Sequence, residues 1–388
     1  MNIKRQLARL QAPDEHVAQE RAWEVVRAAY REREIGLRTW RVPRWGLVLA
    51  PATAAVVGVV AALTLTPAGA TMGRLISQAF GVPHAARSLF SLPAPGRLLV
   101  SGAAETWIVS SDGSRRRLGS WRQASWSPHG IYLAVASGDR LAAVNPRGVA
   151  QWALIRPGAS DPRWYAPTGY RIAYRSAGTL RVVAGDGTGD HLLATGVSPV
   201  APAWRPGHAY QLAYVQHDRV VLRDADSGHL IWTRPARAVR KLGWSADGTR
   251  LLIITRTGAR IVSAKNGHTT ARINAGRLNQ VRDGSLSPDG RTLALVTNQG
   301  LSIAHLGPRR PTLQTMLPGA GVRQVTWSPN GQWLLASWPP ADQWVFIATG
   351  HRPRIAAVSR IAQQFSEPRT NAFPQVDGWC CTVRGSPS

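Results

Sequence analysis

Ten histidines, 21 carboxylates and one pair of adjacent cysteines are the side chains through which this sequence could hold a metal, move a proton or attack a substrate. Their spacing does not assemble such chemistry. The histidines form no H-x-x-x-H or H-E-x-x-H pair, the arrangement that puts two imidazoles on one helix face around zinc. Most of them, including His208, His217, His229 and His268, lie in or beside expected turns and read as solvated loop residues rather than ligands. No G-x-S-x-G nucleophile elbow occurs, so a serine hydrolase is not expected. Calcium needs clustered carboxylates, yet only 15 acids are spread over everything beyond residue 44. Asp112, Asp186, Asp226, Asp247 and Asp289 stand in turn motifs and read as turn formers; Asp139-Arg140, Asp218-Arg219 and Arg282-Asp283 read as surface or rim pairs. The expectation is no catalytic residue, no cofactor and no metal site, with the ligand-binding residues left unknown.

Cys380 and Cys381 are too few for a multi-bridge scaffold and lack C-x-x-C spacing. Three states stay open: two unpaired or buried thiols, a vicinal disulfide stiffening the C-terminal end, or a bridge to another chain.

The formal charge of +26 would ordinarily raise a nucleic-acid partner. Here the charge is dispersed: only Arg115, Arg116 and Arg117 form a run of three, and Lys4, Lys241 and Lys265 are the only lysines among 47 cations. Without a basic stripe no nucleic-acid partner is expected.

From Trp45 to Leu65 the chain runs 21 residues without a charge, which as a helix would cover about 31 Å, a bilayer core. Arg38, Arg41 and Arg44 crowd its N-terminal side, whereas the next cation is Arg74. The N-terminus is therefore expected in the cytoplasm and the rest outside a single-pass anchor at 45–66. A cleaved signal peptide ending at Ala68-Gly69-Ala70 is the competing reading. Before the anchor, residues 1–44 form a cytoplasmic segment. Its helix, at 14–34, carries an apolar stripe of Ala18, Ala22, Val25, Val26, Ala29 and Tyr30. That stripe suits either a solvated juxtamembrane helix or a docking helix for a cytoplasmic protein partner. A linker at 67–85 follows.

Beyond it one motif returns, anchored at Trp126, Trp164, Trp204, Trp244, Leu286 and Trp327. Its form is clearest in Trp126-Ser127-Pro128-His129-Gly130, Leu286-Ser287-Pro288-Asp289-Gly290 and Trp327-Ser328-Pro329-Asn330-Gly331. The anchors lie 38, 40, 40, 42 and 41 residues apart, the period of a four-stranded propeller blade. Pro sets φ and Gly takes the positive-φ position of each turn. A short apolar run follows, as in Leu251-Leu252-Ile253-Ile254, which reads as a buried central strand. A second turn comes 22 residues after the anchor, at Asp186-Gly187, Asp226-Ser227-Gly228, Asn266-Gly267 and Thr349-Gly350. Carrying that phase back from Asp112-Gly113 places a degenerate seventh anchor at Phe90. The fold expected is all-β, a propeller of about seven blades over 86–388. The segment from Phe373 to Cys381 would serve as closing strand or plug.

These repeats resemble the TolB-type or WD-repeat-like propellers, over about three-quarters of the chain. The layout of short helix, one span, propeller and Gly-Trp-Cys-Cys tail also resembles membrane-anchored propeller proteins of actinobacteria, a resemblance that brings no activity with it. The expected function is a non-enzymatic module in the cell envelope, binding a protein or envelope polymer on the outer side while residues 45–66 hold the membrane. Two alternatives are a transmembrane sensor acting through the helix of 14–34 and an enzyme with its site in the propeller channel.

Overall fold

In a computed structural model, residues 91–381 are described, apart from 104, 166–167, 209, 277–279, 308–310, 351–353 and 366–372. The segment 1–44 with its helix, the span 45–66, the linker 67–85 and the anchor Phe90 lie outside the described residues. Among the described residues, no helix is long and apolar enough to cross a membrane.

Each Trp-anchored turn ends one strand and begins the next, and the described strands pair into seven antiparallel sheets of four. Their first strands touch one another in succession around a closed ring. These inner strands are Gln375–Cys380 in blade 1, Gln123–Trp126 in blade 2, Ser160–Trp164 in blade 3 and Ala203–Trp204 in blade 4. Val239–Trp244, Val281–Leu286 and Gln324–Trp327 serve blades 5, 6 and 7. The fold is thus an all-β seven-bladed propeller. Blade 1 takes its inner strand from the C-terminal end and its other three from the beginning of the ring, Arg97–Ser101, Thr106–Val109 and Arg115–Gly119. Closure by strands from both ends leaves no free inner edge.

Why the repeat folds this way is visible in its register. Anchors Trp126, Trp164, Trp204, Trp244, Leu286 and Trp327 pair with Leu133, Ile172, Leu212, Leu251, Leu293 and Leu334 of the second strands. In blade 1 the corresponding residue, Leu98, pairs with Trp379. The seventh anchor position therefore belongs to Trp379, which a phase carried along contiguous sequence cannot reach, because the ring closes one strand out of step. Second strands such as Leu133–Ser137 and Trp333–Trp338 are buried almost throughout. Outer strands such as Ala150–Ile155 keep alternate side chains in water, as a blade sandwiched between neighbours and rimmed by solvent requires.

The turn itself is a hydrogen-bonded device. Ser287 Oγ donates to the Asp289 carboxylate and accepts the amide of Thr292 at 2.9 Å, and Ser328 does the same with Asn330 and the Trp333 amide, at 2.7 and 2.9 Å. Blade-to-blade locks follow the repeat as well. The indole N–H groups of Trp204, Trp244 and Trp327 donate to the carbonyls of Arg163, Ala203 and Ser285, each one residue before the anchor of the preceding blade. Trp164 departs from this and donates to Gly169 within its own turn, at 2.6 Å.

Candidate functional site

Of the concavities among the described residues, two lie at opposite ends of the inner strands and so on opposite faces, because every inner strand starts at one face and ends in its turn at the other. On the turn face, a groove of about 780 Å³ opens between blades 2 and 3. The turn of blade 2 contributes Ile131 and Tyr132, its outer strand Trp152, and blade 3 supplies Trp164 and Tyr170, with Tyr210 of blade 4 at the far end. Tyr132 stacks on Trp164 with ring centroids 6.3 Å apart and planes 17° from parallel. Ile131 is 57% and Tyr170 62% exposed. Large apolar side chains left this open beside one another are what a binding partner covers.

The groove's walls are held by hydrogen bonds and close packing. Trp152 donates its indole N–H to the Gly185 carbonyl at 2.8 Å. A Cβ on Gly187, where φ is +89°, would lie 2.7 Å from the Trp152 ring, so glycine lets the hairpin of blade 3 sit on that indole. Arg171 grips Asp226 through two bonds of 2.9 Å and lies 4.7 Å over the Tyr210 ring. The Asp226 carboxylate holds the guanidinium's pKa above its ordinary value. Asp186 at the rim is held below the usual carboxylate range by the Thr188 amide and hydroxyl.

The channel is lined by charged and polar groups of the inner strands. Lys241 Nζ bonds Asp283 at 2.7 Å, and the other Asp283 oxygen accepts the Val325 amide of the next blade at 2.9 Å. Gln324 accepts the Val376 amide, and Gln123 the Asp161 amide, in the same blade-to-blade sense. Asp161 also takes the Arg175 guanidinium at 2.6 Å. Asp377 accepts from Ser101 Oγ; although it keeps surface open to the lumen, crowding by the surrounding blades pushes its carboxyl up to about 6. None of the described histidines stands on an inner strand.

The structure redistributes several residues singled out in the sequence. Asp112, Asp186, Asp247 and Asp289 bond amides of their own turns. Asp226 does not: Asp224 takes that part, leaving Asp226 free to pair with Arg171. Arg282 is not paired with Asp283, whose carboxylate Lys241 occupies. Cys380 and Cys381 are joined as a vicinal disulfide. Among the described residues, no cluster of three His, Cys, Asp or Glu could hold a metal ion. Sequence reasoning missed the aromatic groove although the repeat carried its signal: Tyr132, Tyr170 and Tyr210 each lie six residues beyond their anchors Trp126, Trp164 and Trp204, an aromatic residue at one fixed offset beside a turn where water is expected.

Residues 311–352, which hold the blade 7 turn, match the family described as WD domain, G-beta repeat. This chain carries a WD40 repeat. The fold agrees with solved propellers. Kluyveromyces lactis Hsv2 is 12% identical, covers 69% of this chain and 96% of its own, with a TM-score of 0.54. A chain of the Mitotic Checkpoint Complex is 17% identical over 67% of this chain and 96% of its own, at 0.53. The Cps50 (Swd1) β-propeller domain of Myceliophteria thermophila is 15% identical over 69% and 99%, at 0.51. At these identities the likeness is one of fold. No curated protein matches the sequence.

Proposed function

We infer that this WD40-repeat propeller is a binding module whose aromatic groove between blades 2 and 3 receives an acidic segment of a protein partner. WD40 propellers commonly serve as protein-interaction scaffolds. The observation that carries the reading is the juxtaposition of exposed Ile131, Tyr132 and Tyr170 over the buried Trp164. The net charge of +26 supports an acidic partner, because a cationic surface draws anionic chains to it and discourages cationic ones. An aromatic and aliphatic patch supplies the anchor pocket and charge supplies the encounter.

The chargeless run 45–65 behind Arg38, Arg41 and Arg44 supports a single-pass anchor in the cytoplasmic membrane that holds the propeller outside. The turns of the type Trp327-Ser328-Pro329-Asn330-Gly331 and Leu286-Ser287-Pro288-Asp289-Gly290 support a TolB-type reading within the propellers. The apolar stripe on 14–34 favours a second reading, in which binding outside is reported to a protein inside. Deleting 14–34 while retaining the anchor separates the two, since a scaffold keeps its outer interaction and phenotype.

A membrane-impermeant cross-linker applied to intact cells tests the main reading. The full-length chain is expected to capture one acidic protein from the outside, and Tyr170→Asp is expected to lose it. Equal capture by Tyr170→Asp, or no capture from outside, overturns it.

A further inference from the structure

We propose that the channel mouth on the face opposite the aromatic groove is a binding site for a phosphate-bearing anion, held by Arg240, Arg282 and Arg323. The three stand four residues before the anchors Trp244, Leu286 and Trp327, so the repeat places them at one equivalent position in three successive blades. Together with Gln280 they line a cavity of about 430 Å³. Arg122 occupies the same register position in blade 2, before Trp126, and adds a fourth cation to the ring.

These cations lack counter-charge. None of the three takes part in an ion pair among the described residues. Arg240 donates to the Val281 carbonyl at 3.1 Å, which draws its guanidinium toward blade 6. The inner-strand carboxylate next to Arg282 in sequence, Asp283, is already engaged by Lys241 and the Val325 amide. Three guanidinium groups around one cavity repel each other, and an anion with several oxygens would relieve that repulsion. Each guanidinium presents paired N–H donors that match phosphate oxygens two at a time. Solvated arginines on a rim would show no such register; these coincide with the blade repeat and converge on the channel mouth. The proposal concerns a different face from the aromatic groove and stands without it.

The phosphate could belong to a free diphosphate or to a lipid or polymer headgroup, and two probes separate these sources. Titration of the full-length chain, purified in neutral detergent, with inorganic pyrophosphate reads the first. Flotation with phosphatidylcholine vesicles, with and without phosphatidic acid, reads the second. Arg282→Gln combined with Arg323→Gln is expected to weaken binding of at least one probe by about a hundredfold, roughly tenfold per arginine. Arg116→Gln combined with Arg147→Gln, which removes the same charge from exposed positions elsewhere, is expected to leave it within about twofold. Loss confined to pyrophosphate assigns a soluble ligand, and loss confined to vesicles assigns a headgroup. Binding of neither probe, or equal weakening by the control pair, overturns the proposal.

Discussion

Asp190 shows what single residues contribute to this ring. Its carboxylate, 5% exposed, receives Arg156 and Arg181 at 2.7 Å and the Tyr174 hydroxyl at 2.6 Å. Burial alone would raise its pKa, but the bonds from Arg181, Tyr174 and Arg156 outweigh burial and hold it below the ordinary value. The same site pushes the Tyr174 hydroxyl up to about 12, chiefly through burial. Asp190→Ala leaves two arginines facing each other and is expected to cost about 2–3 kcal/mol. That is less than for a fully enclosed pair, because Arg156 is a third exposed. Denaturant unfolding near pH 7 measures it. A depressed carboxyl stabilises above its unfolded pKa and loses that contribution as pH falls through the folded one. Asp377 has the opposite sign. Its raised pKa leaves the folded state unpenalised below about 4, and the penalty grows as pH rises to about 6. Asp377→Asn is thus expected to stabilise the protein by about 1 kcal/mol at pH 7, screening in the lumen allowed for, and to change little at pH 4. Unfolding midpoints at the two pH values decide this. Neither residue was legible in the sequence, since Arg156 lies 34 positions from Asp190 and nothing local signals their contact.

At the scale of elements, the turns were legible and the contacts between blades were not. The anchors Trp126, Trp164, Trp204, Trp244, Leu286 and Trp327 each precede a glycine-ended turn written in contiguous residues, closed after Leu286 and Trp327 by a serine and an Asx side chain and after Trp244 by Ser245 and Asp247. What the indoles of Trp204, Trp244 and Trp327 donate to is the preceding blade, 41 or 42 residues back, and only the closed ring brings the two together. Trp327→Phe keeps the ring but leaves the Ser285 carbonyl without its donor, and is expected to cost about 1 kcal/mol in denaturant unfolding. Hairpin glycines carry a similar hidden contact: Gly187 and Gly267 sit against Trp152 and Trp232, the indole carbons 2.7 and 2.9 Å from where a Cβ would be. Asp-Gly and Asn-Gly signalled a hairpin in the sequence, but not that the glycine must also make room for a neighbouring blade's indole. Gly187→Ala, strained by its positive φ as well, is expected to lose about 1–3 kcal/mol and to disturb Trp152 fluorescence at the groove wall.

For the whole molecule, closure decides integrity. Blade count and the closing role of the C-terminal segment were open to sequence reasoning because a period of about 40 residues implies a ring. The offset of one strand was not, and it moves the seventh anchor from Phe90 to Trp379. Removing residues 374–388 exposes the edge of Arg97–Ser101 and is expected to abolish a single cooperative transition and cause aggregation. The vicinal disulfide differs: with a sequence separation of one it closes no long loop, so reducing it is expected to change stability by less than about 1 kcal/mol. Binding, in this account, follows from a closed ring that holds Ile131, Tyr132 and Tyr170 on one face. The measurement that tests this most directly places a photo-cross-linking residue in turn at Ile131, Tyr170 and Ile155 of the full-length chain in intact cells. Ile155 is 65% exposed and lies outside the groove. Ile131 and Tyr170 are expected to label the same acidic protein, and Ile155 is not. Labelling from Ile155 alone, or from all three alike, would contradict it.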